Sequence, residues 1–169
     1  MSIVTEDGTG LANAETYCGV ADMRAYCDGR GLALTGLTDA RIEQLLRNAS
    51  DYLLVYSTSW QGDRLTATQA LDWPRTGVYL NGYAQPPAPL PVALVNASAL
   101  LAYKAKDGPL TPDVKSAAVK RLKLGPLEKE YDTVTPPGNS TVPRYPDVDR
   151  LLASLRTAVR AYQVPLRRS

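Results

Sequence analysis

The side chains that do most protein chemistry are sparse in this 169-residue chain, and histidine is absent altogether. That removes the commonest general base, the commonest metal ligand and every Ser-His or Cys-His nucleophile pair. Two cysteines, Cys18 and Cys27, are too few for a disulfide framework or a structural zinc site. With no imidazole to activate them, they read as small buried hydrophobes. Carboxylates come in pairs at Glu6/Asp7, Glu128/Glu130 and Asp147/Asp149. The first pair falls on an N-terminal arm, the second sits at strand spacing opposite basic residues, and the third marks a helix start. None brings the mixture of donors that a metal site needs. Asp7-Gly8-Thr9-Gly10 lacks the following lysine and the strand–helix frame of a phosphate loop, so it reads as a turn. The expectation is a protein that is not an enzyme and uses no cofactor or metal.

Basic and aromatic residues are the remaining chemistry. Lys104, Lys106, Lys115, Lys120, Arg121 and Lys123 lie close in sequence, with Tyr103 and Tyr131 as candidate stacking platforms. A positive groove with exposed aromatics is what nonspecific single-stranded nucleic-acid binding uses. Tyrosine is equally a core residue, and ten tyrosines with no phenylalanine must do core duty as well. No zinc finger, RRM signature or KH loop is present, which argues against sequence-specific reading. Charge is polarised along the chain. Residues 1–75 carry 10 acids and 6 bases, net −4, and residues 76–169 carry 7 acids and 13 bases, net +6. After Asp149 there are five arginines and no acid. Such polarity suits stacking on an oppositely polarised partner or a basic end presented to phosphate; unequal halves are also common in soluble proteins.

The elements that must position these groups are mainly helical. The 44% hydrophobic and 21% charged content fits one ordinary globular domain with arms. No run approaches the roughly 20 apolar residues of a membrane span. Met1 to Asp7 has neither a basic n-region nor an apolar h-region, so no secretory signal is read there. Residues 1–18 read as an extended arm. A first helix is predicted from about Val20 to Arg30, closed by Gly31. A second starts after Thr38. Its apolar stripe is Ile42, Leu45, Leu46, Ala49, Tyr52, Leu53 and Tyr56. A small hairpin turns at Asn81-Gly82. Pro86, Pro87, Pro89 and Pro91 stiffen the approach to a third helix carrying Leu94, Val95, Leu101, Ala102 and Ala105. Residues 114–131 shift toward a period of two. They read as two antiparallel strands joined near Gly125-Pro126, with basic residues facing Glu128 and Glu130; a single helix over 112–124 is the rival. Residues 132–146 have loop composition. A last helix is predicted from about Asp147 to Tyr162, followed by a basic tail. The expected fold is mainly α: a small bundle of about four helices with a β-hairpin and extended N- and C-terminal arms. The expected division is 1–131, 132–146 and 147–169.

Four blocks carry a family resemblance. They are the opening Val4-Thr5-Glu6-Asp7-Gly8-Thr9-Gly10-Leu11-Ala12-Asn13-Ala14-Glu15-Thr16-Tyr17, the run Ala70-Leu71-Asp72-Trp73-Pro74-Arg75-Thr76-Gly77-Val78, the run 119–131 and the run Tyr145-Pro146-Asp147-Val148-Asp149-Arg150-Leu151-Leu152. In this order they resemble a tailed-bacteriophage family labelled DnaT-like single-stranded DNA-binding protein. That family is similar to the head–tail connector, or adaptor, proteins that form a ring beneath the phage portal. The resemblance implies a virion structural protein of the neck, present in the host cytoplasm during assembly. Its implied partners are the portal protein, copies of itself in an expected twelvefold ring, a downstream neck or tail-completion protein, and DNA touched loosely. No membrane is implied. By the same resemblance, Leu151, Leu155, Arg156, Arg160, Tyr162, Arg167 and Arg168 are candidates for portal contact. Lys120, Arg121, Lys123, Glu128, Glu130 and Tyr131 are candidates for contact with a neighbouring subunit or the tail side. The alternative function is nonspecific single-stranded DNA binding in replication, and a third is an interaction module with another partner.

Overall fold

Helix α2, Asp39–Leu53, is the amphipathic element around which the others are arranged. Thr38 caps it by accepting a hydrogen bond from the Arg41 N–H at 3.3 Å. Ile42, Leu45, Leu46, Ala49, Tyr52 and Leu53 form its buried face, and a 3-10 turn at Leu54–Tyr56 continues it. The computed structural model describes residues 2–111, 122–124, 127–129 and 144–157. Helix α1, Val20–Asp28, buries Met23, Tyr26 and Cys27. It ends with Gly31 at φ +65°, the Leu32 N–H on the Cys27 carbonyl (2.9 Å) and the Gly31 N–H on the Asp28 carbonyl (3.1 Å). That pair of bonds is a Schellman closure, and it requires the left-handed residue that glycine supplies.

Helix α3, Val92–Ala105, is apolar on nearly every side, as befits a helix enclosed by others. It packs against α1, α2 and a fourth helix, α4, which spans Pro146–Leu152. Leu94, Leu101 and Ala102 of α3 and Val148 and Leu152 of α4 are fully buried. Pro91 is the cap residue of α3, one place before the first turn. The predicted last helix is shorter than its apolar stripe implies. After α4 the chain makes a 3-10 turn at Ala153–Leu155 and leaves helical geometry at Arg156. There it forms an antiparallel bridge with Trp60, with bonds from the Gln61 N–H to the Leu155 carbonyl (3.0 Å) and from the Thr157 N–H to the Ser59 carbonyl (2.8 Å).

The irregular 60–90 region holds two strand pairs, both antiparallel. β1 (Asp63–Arg64) pairs with β2 (Arg75–Thr76), and β3 (Val78–Leu80) pairs with β4 (Tyr83–Gln85). Asn81 at φ +52° and Gly82 at φ +87° make the two-residue turn that matches strand twist. Gly62, at φ +64°, faces the Thr76 carbonyl so closely that a Cβ would overlap it. Tyrosine and tryptophan fill the place of phenylalanine. Edge-on or tilted contacts run from Tyr145 to Tyr52, Tyr56, Trp60 and Trp73, with ring centroids 5.3–6.2 Å apart.

The N-terminal segment is extended and lies against the body. Its two limbs are joined by bonds from the Glu6 N–H to the Thr16 carbonyl and from the Glu15 N–H to the Val4 carbonyl, each 2.8 Å. Ala14, Tyr17 and Cys18 are buried, and the Glu15 carboxylate meets the Arg47 guanidinium of α2 at 2.7 Å.

Thr111–Arg144 forms a compact unit of its own, and the body comprises Met1–Leu110 with the part from Tyr145 onward. Helix α4 belongs to the same unit as the other helices. Within the separate unit, β5 (Leu122–Leu124) pairs antiparallel with β6 (Leu127–Lys129), and Lys123 stands opposite Glu128. This is the predicted hairpin around Gly125-Pro126. In the body, the two ends of the segment are tied together, because the Tyr145 hydroxyl donates to the Leu110 carbonyl at 3.4 Å.

Candidate functional site

The chemically capable groups of the described residues are mostly engaged with one another. Cys18 and Cys27 are both fully buried and free. Burial pushes the Cys18 thiol up to about 12 and raises the Cys27 thiol as well, the opposite of what a nucleophilic cysteine needs. Among the described residues no group of three or more cysteine and carboxylate side chains is placed to hold a metal ion. A cavity of about 570 Å³ lies at the turn after α1, lined by Arg24, Cys27, Asp28 and Gly31 to Thr35. Arg24 there is already bonded to Asp39 and to the Leu37 carbonyl. No helix among the described residues is long and apolar enough to cross a membrane.

Two of the three acid pairs, Glu6/Asp7 and Asp147/Asp149, have structural partners. The Glu6 carboxylate is buried and accepts from the backbone N–H groups of Gly8 (3.0 Å), Gly10 (2.9 Å) and Leu11 (2.9 Å). Asp7 accepts from the Thr9 hydroxyl and N–H, which holds its carboxyl below the usual range. Asp147 meets Lys104 at 2.8 Å, and that bond lowers its pKa. Asp149 meets Arg156 at 3.0 Å.

The predicted contact residues divide into three groups. Leu155 is fully buried and packs the interior. Leu151 is half-buried. The Arg156 guanidinium is held by Asp149, by Ser59 Oγ (3.1 Å) and by the Tyr56 ring, 4.9 Å to its centroid. It therefore serves as an internal clasp. Lys123 and Glu128 are described by their strand register alone. Arg160, Tyr162, Arg167, Arg168, Lys120, Arg121, Glu130 and Tyr131 lie outside the described residues.

Of the two candidate stacking platforms, Tyr103 lies among the described residues and Tyr131 does not. Tyr103 is half-buried and its ring is faced by Lys106 Nζ at 4.9 Å, while Lys104 is spent on Asp147. Among the described residues the exposed tyrosines are Tyr79, 58% exposed, and Tyr83, 80% exposed, on the β3–β4 hairpin. Sequence reasoning finds that hairpin without singling out its rings. The alternation in Val78-Tyr79-Leu80 around a buried Val78 is the signal that Tyr79 faces outward.

The hairpin is fastened to the C-terminal part of the body. Gln61 Oε1 accepts from the Tyr79 N–H (3.2 Å), and Gln61 Nε2 donates to the Ser154 carbonyl (2.8 Å). The fold thus defines a mainly α protein carrying β-hairpins. The whole chain, residues 1–169, matches the family described as "Putative DnaT-like ssDNA binding protein", and the chain belongs to that family. No curated protein and no solved structure matches it.

Proposed function

We propose that this chain is a structural subunit of a tailed-phage neck, an adaptor that docks on the portal and joins it to downstream tail proteins. The carrying observation is the separate unit at Thr111–Arg144, whose described part is a hairpin with strands of three residues. A two-stranded hairpin that short is marginal in water by itself and gains stability from a covering surface. A neighbouring copy in a ring would supply that surface, and Lys123 opposite Glu128 gives it a mixed-charge face suited to polar contact. In this reading the protein acts without catalysis or cofactor. It resides in the virion neck and, before assembly, in the host cytoplasm. Its basic C-terminal end would meet the portal, and its contact with DNA is loose.

The test is stoichiometry. Quantitative mass spectrometry of purified particles should count one copy of this chain per portal subunit; absence from particles would sink the proposal. Portal capture should then be lost on removing residues 158–169. The cut must fall after Thr157, because a cut at 147 would also remove the buried Val148, Leu152 and Leu155 and unfold the body.

A second reading is nonspecific single-stranded DNA binding. It is favoured by the family's description and by the exposed Tyr79 and Tyr83. It requires binding to oligonucleotides that weakens steeply with salt.

A further inference from the structure

A projecting ring and an open pocket lie toward opposite ends of helix α2. From Thr76 to Tyr103 the sequence holds no charged residue, although 21% of the chain is charged. The tip of the β3–β4 hairpin stands out from that stretch. Leu80 is opposite Tyr83 in the ladder, so the two share one face of the ribbon, and Tyr79 lies on the other. An uncharged tip led by an exposed tyrosine gives a polyanion no phosphate partner. It has the composition of an interface core, where tyrosine is enriched and charge is depleted. The pocket is the cavity of about 570 Å³ at the turn after α1. Ala25, Leu32, Ala33 and Leu34 supply its apolar lining, and Asp28 and Thr35 part of its polar one. Asp28 is exposed, and its carboxylate takes part in no hydrogen bond or ion pair among the described residues. Helix α2 starts just beyond this turn, and its far end leads into the 59–61 loop, where Gln61 holds the Tyr79 N–H. At about 1.5 Å per residue, its 15 residues put about 22 Å between those two ends. Tyr83 is exposed and is not among the pocket's lining residues, so the chain does not fill its own pocket.

We infer that the Tyr83 tip of one copy docks in the α1–α2 pocket of the next, a head-to-tail contact between neighbouring subunits. The inference rests on the neck reading, in which copies stand side by side in a ring, and names a contact between them. The phenol matches the pocket in chemistry: its ring packs on Ala25, Leu32, Ala33 and Leu34, and its hydroxyl donates to the Asp28 carboxylate. The cavity's volume falls within the range of about 300–1,000 Å³ typical of sites that enclose ring-bearing groups. Leu80, on the same face as Tyr83, follows it to the rim. Charge favours a second copy in this orientation. The pocket belongs to the half of the chain with net −4 and the tip to the half with net +6. Head-to-tail contact sets unlike halves together, whereas face-to-face pairing sets like halves together. Tip and pocket are different surfaces, so the contact is heterologous and repeats from copy to copy, closing as a ring or extending as a filament. One ring buries about 150–250 Å², far below the roughly 1,600 Å² of a standard interface, so an isolated pair is weak.

The experiment follows self-association of the full chain by sedimentation equilibrium from micromolar to millimolar concentration. Tyr83→Ala should weaken it about tenfold or more, and Tyr83→Phe, which keeps the ring and gives up the bond to Asp28, by about threefold. Ala33→Arg, or Thr35→Arg as a second choice, should block the pocket and abolish association. Tyr83, Ala33 and Thr35 are all exposed, so thermal midpoints equal to that of the parent serve as the folding control. The deciding step mixes the Tyr83→Ala chain with the Ala33→Arg chain. Each lacks one half of the contact, so each alone is monomeric. Together they retain one intact tip and one intact pocket, and the mixture should form dimers and nothing larger. No recovery on mixing overturns the head-to-tail contact. Self-association equal to that of the parent in either variant overturns it as well, and if portal capture is then lost, the tip is a portal contact instead. A parent that stays monomeric at millimolar concentration also overturns the inference, while the copy number in particles judges the neck reading separately.

Discussion

Arg156 Nη1 lies 3.0 Å from Asp149 Oδ1, and this pair turns the end of the α4 region back onto the 59–61 loop. Both side chains are about three-quarters covered. The guanidinium also donates to Ser59 Oγ and faces the Tyr56 ring. Arg156→Ala leaves Asp149 half-buried without its cation and is expected to cost about 2 kcal/mol, read as a lower urea midpoint at unchanged slope. Arg156→Lys should recover only part of this, because an ammonium cannot make the forked contact. A midpoint equal to that of the parent would show that the clasp contributes nothing to stability.

The Glu6 carboxylate organises the Gly8–Leu11 turn by accepting three backbone N–H groups. Removing the acceptor leaves donors poorly solvated, at about 1–3 kcal/mol for each one that stays buried. Glu6→Ala is therefore expected to destabilise the chain by about 3 kcal/mol. Amide exchange at Gly8, Gly10 and Leu11 should rise by orders of magnitude relative to α2. Unchanged exchange at those amides would remove Glu6 from this role.

Gly62→Ala combines a left-handed backbone with a Cβ driven into the Thr76 carbonyl. The expected loss is more than about 1 kcal/mol. Gly36→Ala shares the positive φ, +78°, but has open space around it, so it should cost less. Equal losses at the two sites would argue against the close approach of β2.

Thiol reactivity follows burial. Neither Cys18 nor Cys27 should react with a thiol-specific disulfide reagent at pH 8 in the folded chain, and both should react in urea. Rapid labelling of one thiol in the native protein would contradict the packing at α1.

Stability should decline on the alkaline side. Burial raises the Tyr17 phenol above its ordinary value, and it pushes the Cys18 thiol up to about 12. A group whose value is raised by folding contributes fully below its unfolded value and loses that contribution as pH climbs. The unfolded values are about 8.5 for cysteine and about 10 for tyrosine. The urea midpoint should therefore fall from about pH 9 upward. Cys18→Ala should flatten the early part of the fall. Tyr17→Phe should flatten the later part, while giving up the bond that the Tyr17 hydroxyl accepts from the Trp73 N–H at 3.3 Å. Alkaline profiles identical to the parent in both variants would show that other groups drive it.

Local chemistry made much of the fold legible. The Thr38 cap, the Gly31 closure, the Asn81-Gly82 turn and the pairing of residues 122–124 with 127–129 each depend on neighbours in sequence. The departures depend on contacts that residue type does not announce, near or far along the chain. The apolar stripe runs on to Val159, yet the chain leaves helical geometry at Arg156 because Ser59 and Gln61, almost a hundred residues earlier, offer it a bridge. The glycines near the N-terminus suggest a loose arm, yet one carboxylate satisfies the turn. Tyrosine type alone does not separate the buried Tyr52 and Tyr56 from the exposed Tyr79 and Tyr83; the helical stripe marks the first two and strand alternation marks Tyr79.

The Tyr145–Leu110 bond has an implication for how such a chain can change over time. It closes the body at the two ends of the intervening segment, next to the Lys104–Asp147 pair. The helices thus meet whatever the segment between them contains. Doubling the length of a closed loop costs only about 0.6 kcal/mol. The segment can be lengthened, shortened or exchanged wholesale at little expense to the scaffold, so a new binding specificity can be acquired there while the helices keep their sequence.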